Sequence, residues 1–216
     1  MLKKEIIAPD QAASMLKDGM TVLVGGFMVI GTPEKLVDAV VASGVKDLTI
    51  VCNDAGLPGK GVGKLIENGQ VKKLIASHIG LNRTAGDKMN AGEMEIDLVP
   101  QGTLAEQIRA GGAGLGGVLT RTGVGTLVAE GKQVVTIDGE DFLLEKPIKA
   151  DVALIKSSVS DVYGNTKFNK TTANFNPAMA TAAELVLVQA DEIVEPGVHD
   201  VNSFSVPSVL VDYLVE

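Results

Sequence analysis

The chain has 216 residues, 45% hydrophobic and 21% charged, so it is long and apolar enough to bury a core without covalent crosslinks. Its 27 acidic and 19 basic residues give a net charge of −8, which argues against nucleic acid or an anionic membrane as a partner. One cysteine, Cys52, excludes a disulfide framework, and two histidines argue against a metal site.

The first hundred residues alternate short apolar runs with helical patterns. Residues 21–24 and 48–52 are apolar and β-branched, and each run predicts a buried strand. Between them, Thr32 as N-cap and Pro33 at the first helical position predict a helix that ends at Gly44. Similar elements follow: a glycine-rich loop at 53–63, a short helix near 64–68, and strands at 73–77 and 93–99.

The second half begins with a helix and then changes in character. Thr103 and Glu106 have the spacing of a capping box, which predicts a helix to about Arg109. After a glycine cluster at 111–117, the sequence around Asp138-Gly139 predicts a β-hairpin with a primed turn. The remaining predicted elements are hairpin strands at 133–137 and 141–144, a buried strand at 150–156, a helix at 178–184, a strand at 186–189, and a tail at 208–215 that fits either class.

This order of elements favours one fold class. Strands that alternate with helices predict an α/β protein with an open, mostly parallel, doubly wound sheet, to which the hairpin is added. No linker or repeat divides the chain, so we expect a single domain over residues 1–216. The first ten residues are charged and no run of about 18 apolar residues occurs, which predicts a cytoplasmic protein.

The first candidate site lies where the strand at 21–24 meets its helix. Gly25-Gly26-Phe27 and Gly31 form a glycine turn whose N–H groups can converge on an anion at the helix N-terminus. The spacing is neither the dinucleotide fingerprint nor a P-loop. The alternative is an ordinary tight turn between a strand and a helix.

The second candidate is Gln101, which follows the strand at 93–99 and precedes a helix. In an open α/β sheet this is the edge where ligands bind. A primary amide at this edge can donate to an oxyanion without itself titrating. The alternative is that Gln101 merely ties a loop.

These segments resemble the alpha-subunit signature of the class I CoA-transferases. The first matches it at Asp18, Gly19, Gly25, Gly26, Phe27, Gly31 and Pro33. The second resembles the family's Pro-Gln-Gly-Thr-Leu-x-Glu-x-Ile-Arg-x-Gly-Gly-x-Gly block at 100–114. Shorter matches lie at 76–80, 120–126 and 173–177, so the resemblance extends from about residue 16 to 188.

The resemblance implies a two-chain enzyme that transfers CoA through a glutamyl-CoA thioester, with coenzyme A as substrate and no tightly bound cofactor. In the family, the nucleophilic glutamate lies in a Ser-Glu-Asn-Gly motif on the beta subunit. This chain has Ile66-Glu67-Asn68-Gly69, in which isoleucine replaces the serine and no further glycines follow. We interpret that segment as a helix ended by Gly69, and expect the beta subunit to supply the nucleophile.

By the same resemblance, Gln101 is the residue whose side-chain amide helps to form the oxyanion hole. Gly25, Gly26 and Phe27 would form a loop wall against the partner's glutamate, and these three residues and Gly31 are candidates for binding substrate or CoA. Asn53 follows the strand at 48–52 and is expected at the same edge. His78 and Gly80 end the next strand and are candidates for substrate binding, with packing as an equal alternative for His78.

The substrates implied are short-chain acyl-CoA esters, such as acetyl-CoA or butyryl-CoA, and short-chain or 3-oxo acids such as acetoacetate. Two other functions share this kind of fold. A sugar-phosphate isomerase would need its own base at a strand end, and none is evident. An effector-binding domain would normally be joined to a DNA-binding helix-turn-helix, which is not seen here, and the net charge of −8 argues against DNA.

Overall fold

The computed structural model of the chain describes residues 2–216 and is built on a nine-stranded sheet. Eight strands run parallel, and the short strand β10 (Thr166–Lys167) pairs antiparallel with β9. This confirms the predicted open, mostly parallel sheet. In spatial order the parallel strands are β1 (Glu5–Ile7), β12 (Tyr213–Val215), β11 (Ala183–Val194), β9 (Ala150–Asp161), β2 (Thr21–Val24), β3 (Leu48–Val51), β4 (Val71–Ala76) and β5 (Glu95–Leu98).

Helices cover both faces of the sheet, as in a doubly wound fold. One face buries Leu36 and Leu65 against Ile50 and Leu154, and the other buries Leu104 against Ile155. The first face carries α2 (Glu34–Ser43), α3 (Val62–Glu67) and α4 (Arg83–Asn90), with the short α1 (Pro9–Ala13). The second carries α5 (Gln101–Gly112) and the four-residue α6 (Asn176–Met179).

A separate three-stranded antiparallel sheet contains the predicted hairpin. Its order is β6-β8-β7, with β6 (Val118–Thr120), β7 (Val134–Ile137) and β8 (Glu140–Glu145). Asp138 and Gly139 both have positive φ, 53° and 82°, as a type I′ turn requires. The buried Glu145 joins this sheet to α5, because it accepts from Lys132 Nζ at 2.7 Å and Gln107 Nε2 at 3.1 Å.

Helix α2 begins and is capped differently from the prediction. Pro33 occupies the N-cap position and the helix starts at Glu34, so the predicted N-cap role of Thr32 is wrong. The Thr32 hydroxyl packs on Gly26 instead, where an added Cβ would lie 1.9 Å from it. The first helical N–H groups are satisfied from β11, since Gln189 Oε1 accepts from Lys35 N at 2.9 Å. The predicted end is confirmed, because Gly44 has φ 71°.

Helix α5 starts earlier than its capping box predicted. It begins at Gln101, with Pro100 at the N-cap position, and Thr103 lies inside the helix. Thr103 Oγ1 is buried without a partner among residues 2–216, and Glu106 pairs with Arg109 at 2.7 Å. The capping box is therefore wrong, because the N-cap position is occupied by Pro100, three residues before Thr103.

The predicted helix at 178–184 is also wrong. Helix α6 ends at Met179, and β11 begins at Ala183, which pairs with Ala150 of β9. Pairing along ten registered positions of β9 outweighs the helix propensity of this alanine-rich segment. The predicted strands at 150–156 and 186–189 are confirmed, each within a strand of 12 residues.

Two further segments had no definite prediction from the sequence. The tail at 208–215 divides into a 3₁₀ turn, Ser208–Leu210, and strand β12. Helix α4 was not predicted, although Asn82 provides a visible signal by accepting from Ala85 N as an N-cap. Within residues 2–216, no helix combines the length and the apolar character that crossing a membrane requires.

Candidate functional site at the carboxyl edge of the sheet

The carboxyl ends of β2, β3, β4 and β5 meet at one edge of the sheet, because these strands are parallel neighbours. An open cavity of about 330 Å³ lies at this edge. Its lining combines two aromatic rings with amide side chains and a hydroxyl, and none of the lining residues is charged. These residues are Phe27, Asn53, Gln101, Thr171, Asn174 and Phe175.

Gln101 and Asn53 form a hydrogen-bonded amide pair in this cavity. Gln101 Nε2 donates to Asn53 Oδ1 at 2.8 Å. Ser77, which follows β4, donates its hydroxyl to Asn53 O at 2.7 Å and lies 3.1 Å from Asn53 Oδ1. Because Oδ1 faces both donors, the orientation of the Asn53 amide is fixed. The two residues that the sequence placed at this edge therefore lie in direct contact.

The same corner of the cavity presents N–H donors that have no acceptor within residues 2–216. Asn53 Nδ2 is one, and the backbone N–H group of Gln101, the first residue of α5, is another. The first turn of a helix carries a partial positive charge, which adds to the effect of the amide donors. This arrangement suits a developing negative charge on oxygen.

The glycine turn is held in place by two asparagines that follow β10. Asn174 Oδ1 accepts from Gly26 N at 3.1 Å, and Asn174 Nδ2 donates to Ile30 O at 3.0 Å. Asn176 Nδ2 donates to Gly31 O at 3.0 Å. A Cβ on Gly25 would lie 1.8 Å from Asn176 Oδ1. The backbone of the turn thus needs its glycines to admit these side chains.

The tip of this turn is a strained two-residue hairpin. Phe27 and Ile30 exchange two backbone hydrogen bonds, of 3.0 and 2.9 Å. Met28 and Val29 between them have φ of 47° and 62°, a conformation that a β-branched residue such as Val29 adopts only at a cost in energy. The turn presents the Phe27 ring, 41% exposed, to the cavity.

The other residues that the sequence singled out lie elsewhere. His78 is exposed, its imidazole packs over Gly80, and neither residue lines the cavity. Gly25, Gly26 and Gly31 shape the turn and are not lining residues themselves. Glu67 ends α3 and accepts from Gly59 N at 3.0 Å, while Gly69 has φ 71° and stops the helix, as predicted.

Thr171, Asn174 and Phe175 also line the cavity, although no role was predicted for them from the sequence. The segment 173–177 was matched to the family pattern, but its place in the fold was not predicted. It comes to the cavity because β9 inserts beside β2 and carries the following loop to the same edge. Sequence periodicity contains no signal for such a long-range arrangement.

Cys52 is not a candidate nucleophile, because it is buried at the end of β3. Burial, and secondarily the Asp54 carboxylate, raise the pKa of this thiol well above its ordinary value. In the folded chain we expect alkylation more than about 100-fold slower than in denaturant, since access requires the core to open. Above about pH 8.5 the thiol should lower the free energy of unfolding, because only the unfolded chain then loses the proton.

Iodoacetamide labelling with and without denaturant measures the protection of Cys52. Denaturant titrations from pH 7 to 10 measure how the free energy of unfolding changes with pH. Cys52→Ala is the control, and should show no labelling and a shallower decline of stability above pH 8.5. Equal labelling rates in the folded and unfolded chain would contradict the burial argument.

Comparisons with known proteins agree with this geometry. The family described as Coenzyme A transferase matches residues 6–216. The chain is 50% identical over 214 residues to the acetate CoA-transferase subunit alpha of Escherichia coli K12, covering 99% of this chain and 97% of that protein. It is 51% identical over 215 residues to the acetoacetyl-CoA:acetate/butyrate CoA transferase alpha subunit of Clostridium acetobutylicum, covering 100% and 99% of the two chains.

A solved structure shares the fold at lower sequence identity. An acyl-CoA transferase from Escherichia coli O157:H7, solved as a thioester complex with CoA, superposes with a TM-score of 0.91 at 22% identity. The superposition covers 99% of this chain and 47% of that longer chain. At this identity the match shows the fold alone.

Proposed function

Because the chain belongs to the coenzyme A transferase family, we propose that it is the alpha subunit of a two-chain enzyme that moves CoA between a short-chain acyl-CoA and a short-chain carboxylate or 3-oxo acid. Acetyl-CoA or butyryl-CoA and acetoacetate are the substrates that its relatives' names suggest. The family match and the relatives speak against an isomerase or an effector-binding domain.

The observation that carries this proposal is an uncharged cavity that offers amide donors without a carboxylate. Gln101 and Asn53 supply N–H groups, while none of the six lining residues is an aspartate or glutamate. Such a site can stabilise an oxyanion but has no acidic nucleophile of its own. The nucleophilic glutamate would then come from the beta subunit, in its Ser-Glu-Asn-Gly motif.

The proposed chemistry divides the exchange into balanced steps. The partner's glutamate carboxylate attacks the thioester carbonyl, an acyl-glutamyl anhydride forms and CoA thiolate leaves. The thiolate then attacks the glutamyl carbonyl, which gives the glutamyl-CoA thioester and releases the first carboxylate. Each step passes through a tetrahedral oxyanion, which Gln101 and Asn53 would stabilise by donating hydrogen bonds. The acceptor acid reverses these steps.

The apolar part of the acyl group would lie between Phe27 and Phe175, which are the aromatic members of the cavity lining. Coenzyme A acts as a substrate in this scheme. We also propose that residues 1–216 act as one domain, since β1 and β12, from opposite ends of the chain, are paired in the same sheet. A cytoplasmic location is part of the same proposal.

Complementation tests this function. The chain alone is expected to be inactive, whereas the chain co-purified with its beta subunit should transfer CoA from acetyl-CoA to acetoacetate or butyrate. After incubation with acyl-CoA, mass spectrometry should find the added mass of CoA less water on the beta subunit only.

Activity of the chain alone, or the CoA adduct on this chain, would refute the split site. Glu67→Gln then shows whether Glu67 is the nucleophile, since it removes the carboxylate and keeps the shape. An assembled pair that transfers no CoA would refute the transferase reaction itself.

A further inference from the structure

The loop after β3 carries a second polar residue next to Asn53, and this residue, Asp54, does not line the cavity. Asp54 is 5% exposed, and both of its carboxylate oxygens accept backbone N–H groups. Oδ1 accepts from Gly56 N at 2.8 Å, within its own loop, and Oδ2 accepts from Met28 N at 2.8 Å, across to the loop after β2. One buried carboxylate thus joins the loops of two neighbouring strands.

The bond to Met28 is made at the strained tip of the glycine turn. Met28 and Val29 both have positive φ, and Met28 N is the first N–H inside that tip. Two such non-glycine residues in sequence persist only where the surroundings hold them. A charge-assisted hydrogen bond from a buried carboxylate is a strong restraint of this kind.

The position of this restraint relates it to the site. Asn53, which accepts from Gln101, directly precedes Asp54, and Phe27, which lines the same cavity, directly precedes Met28. Building on the proposed function, we propose that Asp54 is a positioning residue. It holds the glycine turn, and with it Phe27, in a fixed position relative to the Asn53–Gln101 pair. Asp54 itself does not line the cavity.

Two variants separate the bond to Met28 from the rest of the loop. Asp54→Asn keeps the shape but removes the charge and one acceptor oxygen, so one N–H group loses its partner and the other keeps only a weaker, uncharged acceptor; the restraint on Met28 weakens in either case. Asp54→Ser retains an oxygen for Gly56 N, two residues ahead, but is too short to reach Met28. It therefore removes the restraint on the glycine turn. It also tests the proposal if Asp54→Asn does not fold.

The chain offers a matched control at the carboxyl end of β9. Asp161 is also 5% exposed, and its Oδ1 accepts from Tyr163 N at 3.0 Å and Asn165 N at 2.9 Å. Asp161→Asn removes the same kind of group from a loop that does not line the cavity. It reports how much of any effect comes from disturbing a buried carboxylate in general.

Hydrogen exchange tests the restraint without reference to catalysis. In both Asp54 variants, the amides of residues 27–31 should exchange about 10- to 100-fold faster than in the unsubstituted chain. In Asp161→Asn they should not change. Unchanged exchange in the Asp54 variants would overturn the proposed restraint.

Kinetics of the assembled pair test the consequence for the reaction. We expect kcat to fall about 10- to 100-fold in the Asp54 variants, as for a misplaced reacting geometry, with KM for CoA esters changed much less. Asp161→Asn should keep its kcat. Normal kcat in the presence of faster exchange would overturn the positioning role.

A rescue experiment distinguishes positioning from general damage. Exchanging Met28-Val29 for Asn-Gly supplies residues that favour the type I′ turn unaided. In the Asp54→Ser background this change should restore most of the lost kcat and the slow exchange. Failure of the rescue would overturn the proposal. If the unsubstituted pair transfers no CoA, the proposed function is refuted, and the role of Asp54 in catalysis is refuted with it. The exchange data still show whether Asp54 restrains the turn.

Discussion

Replacing Gln101 with alanine is expected to lower kcat of the assembled enzyme by about 10²–10³-fold, the usual effect of removing one oxyanion donor. Gln101 starts α5 and its side chain is exposed on the cavity, so its loss should leave the fold and the assembly intact. KM should change little, because the bond is strongest when negative charge has developed on oxygen.

The measurement compares kcat and KM of the purified pair, with gel filtration to verify assembly. Gln101→Glu keeps the size but places a carboxylate beside Asn53 Oδ1, now 2.8 Å from Gln101 Nε2, and should lose at least as much activity. Gln133→Ala, at an exposed position beside β7, is the control with unchanged kinetics. Unchanged kcat for Gln101→Ala in an intact complex would refute the oxyanion role.

The largest expected effect on stability comes from Gly111→Ala in the last turn of α5. A Cβ at this position would lie 1.8 Å from the backbone oxygen of Ile148. A backbone carbonyl cannot move aside like a flexible side chain, so the helix must shift away from the start of β9. We expect a loss of about 1–3 kcal/mol or more in the free energy of unfolding, or about 2–4 °C in Tm per kcal/mol.

Gly86→Ala in α4 is the matched control, because it is also a helical glycine and an added Cβ would meet nothing within 4 Å. There alanine should stabilise the chain by about 0.4–1 kcal/mol through the lower entropy of the unfolded state. Thermal and denaturant unfolding of both variants measure the difference. Equal Tm shifts in the two variants would show that the close packing of Gly111 on Ile148 does not determine the effect of Gly111→Ala on stability.

The fold class was predictable because the apolar patterns of the first hundred residues can be recognised from short stretches of sequence. The runs at 21–24 and 48–52 each form buried strands, and Gly44 and Asp138-Gly139 mark chain reversals by residue type alone. The hairpin and the parallel sheet follow from these signals. Within the glycine cluster at 111–117, Gly111 packs closely on Ile148.

Errors arose where a distant segment decides the local structure. The N-terminus of α2 is satisfied by Gln189, more than 150 positions along the chain, so the nearby Thr32 was free to pack on Gly26. The segment at 178–184 has alanines suited to a helix, but the register with β9 makes its last two residues the start of a strand. Neither contact leaves a trace in local sequence.

In the candidate site too, residues positioned by local sequence were predictable and residues positioned by distant segments were not. Asn53 and Gln101 were predictable because each follows a strand, and parallel strands bring their carboxyl ends together. Asn174 and Phe175 were not, because their approach depends on the insertion of β9 beside β2. The strain at Met28 and Val29 was likewise hidden, since nothing in a Met-Val sequence favours positive φ.

The spatial order of the sheet has a consequence for the chain as it leaves the ribosome. Strand β2 is made early, but its neighbour on one side is β9, and α2 is capped from β11. Until residues 150–161 and then 183–194 have emerged, β2 has an unpaired edge and α2 an unsatisfied end. The amino-terminal half therefore cannot complete its structure until β9 and β11 have emerged, and the nascent chain has its greatest need of protection from aggregation just before β9 arrives.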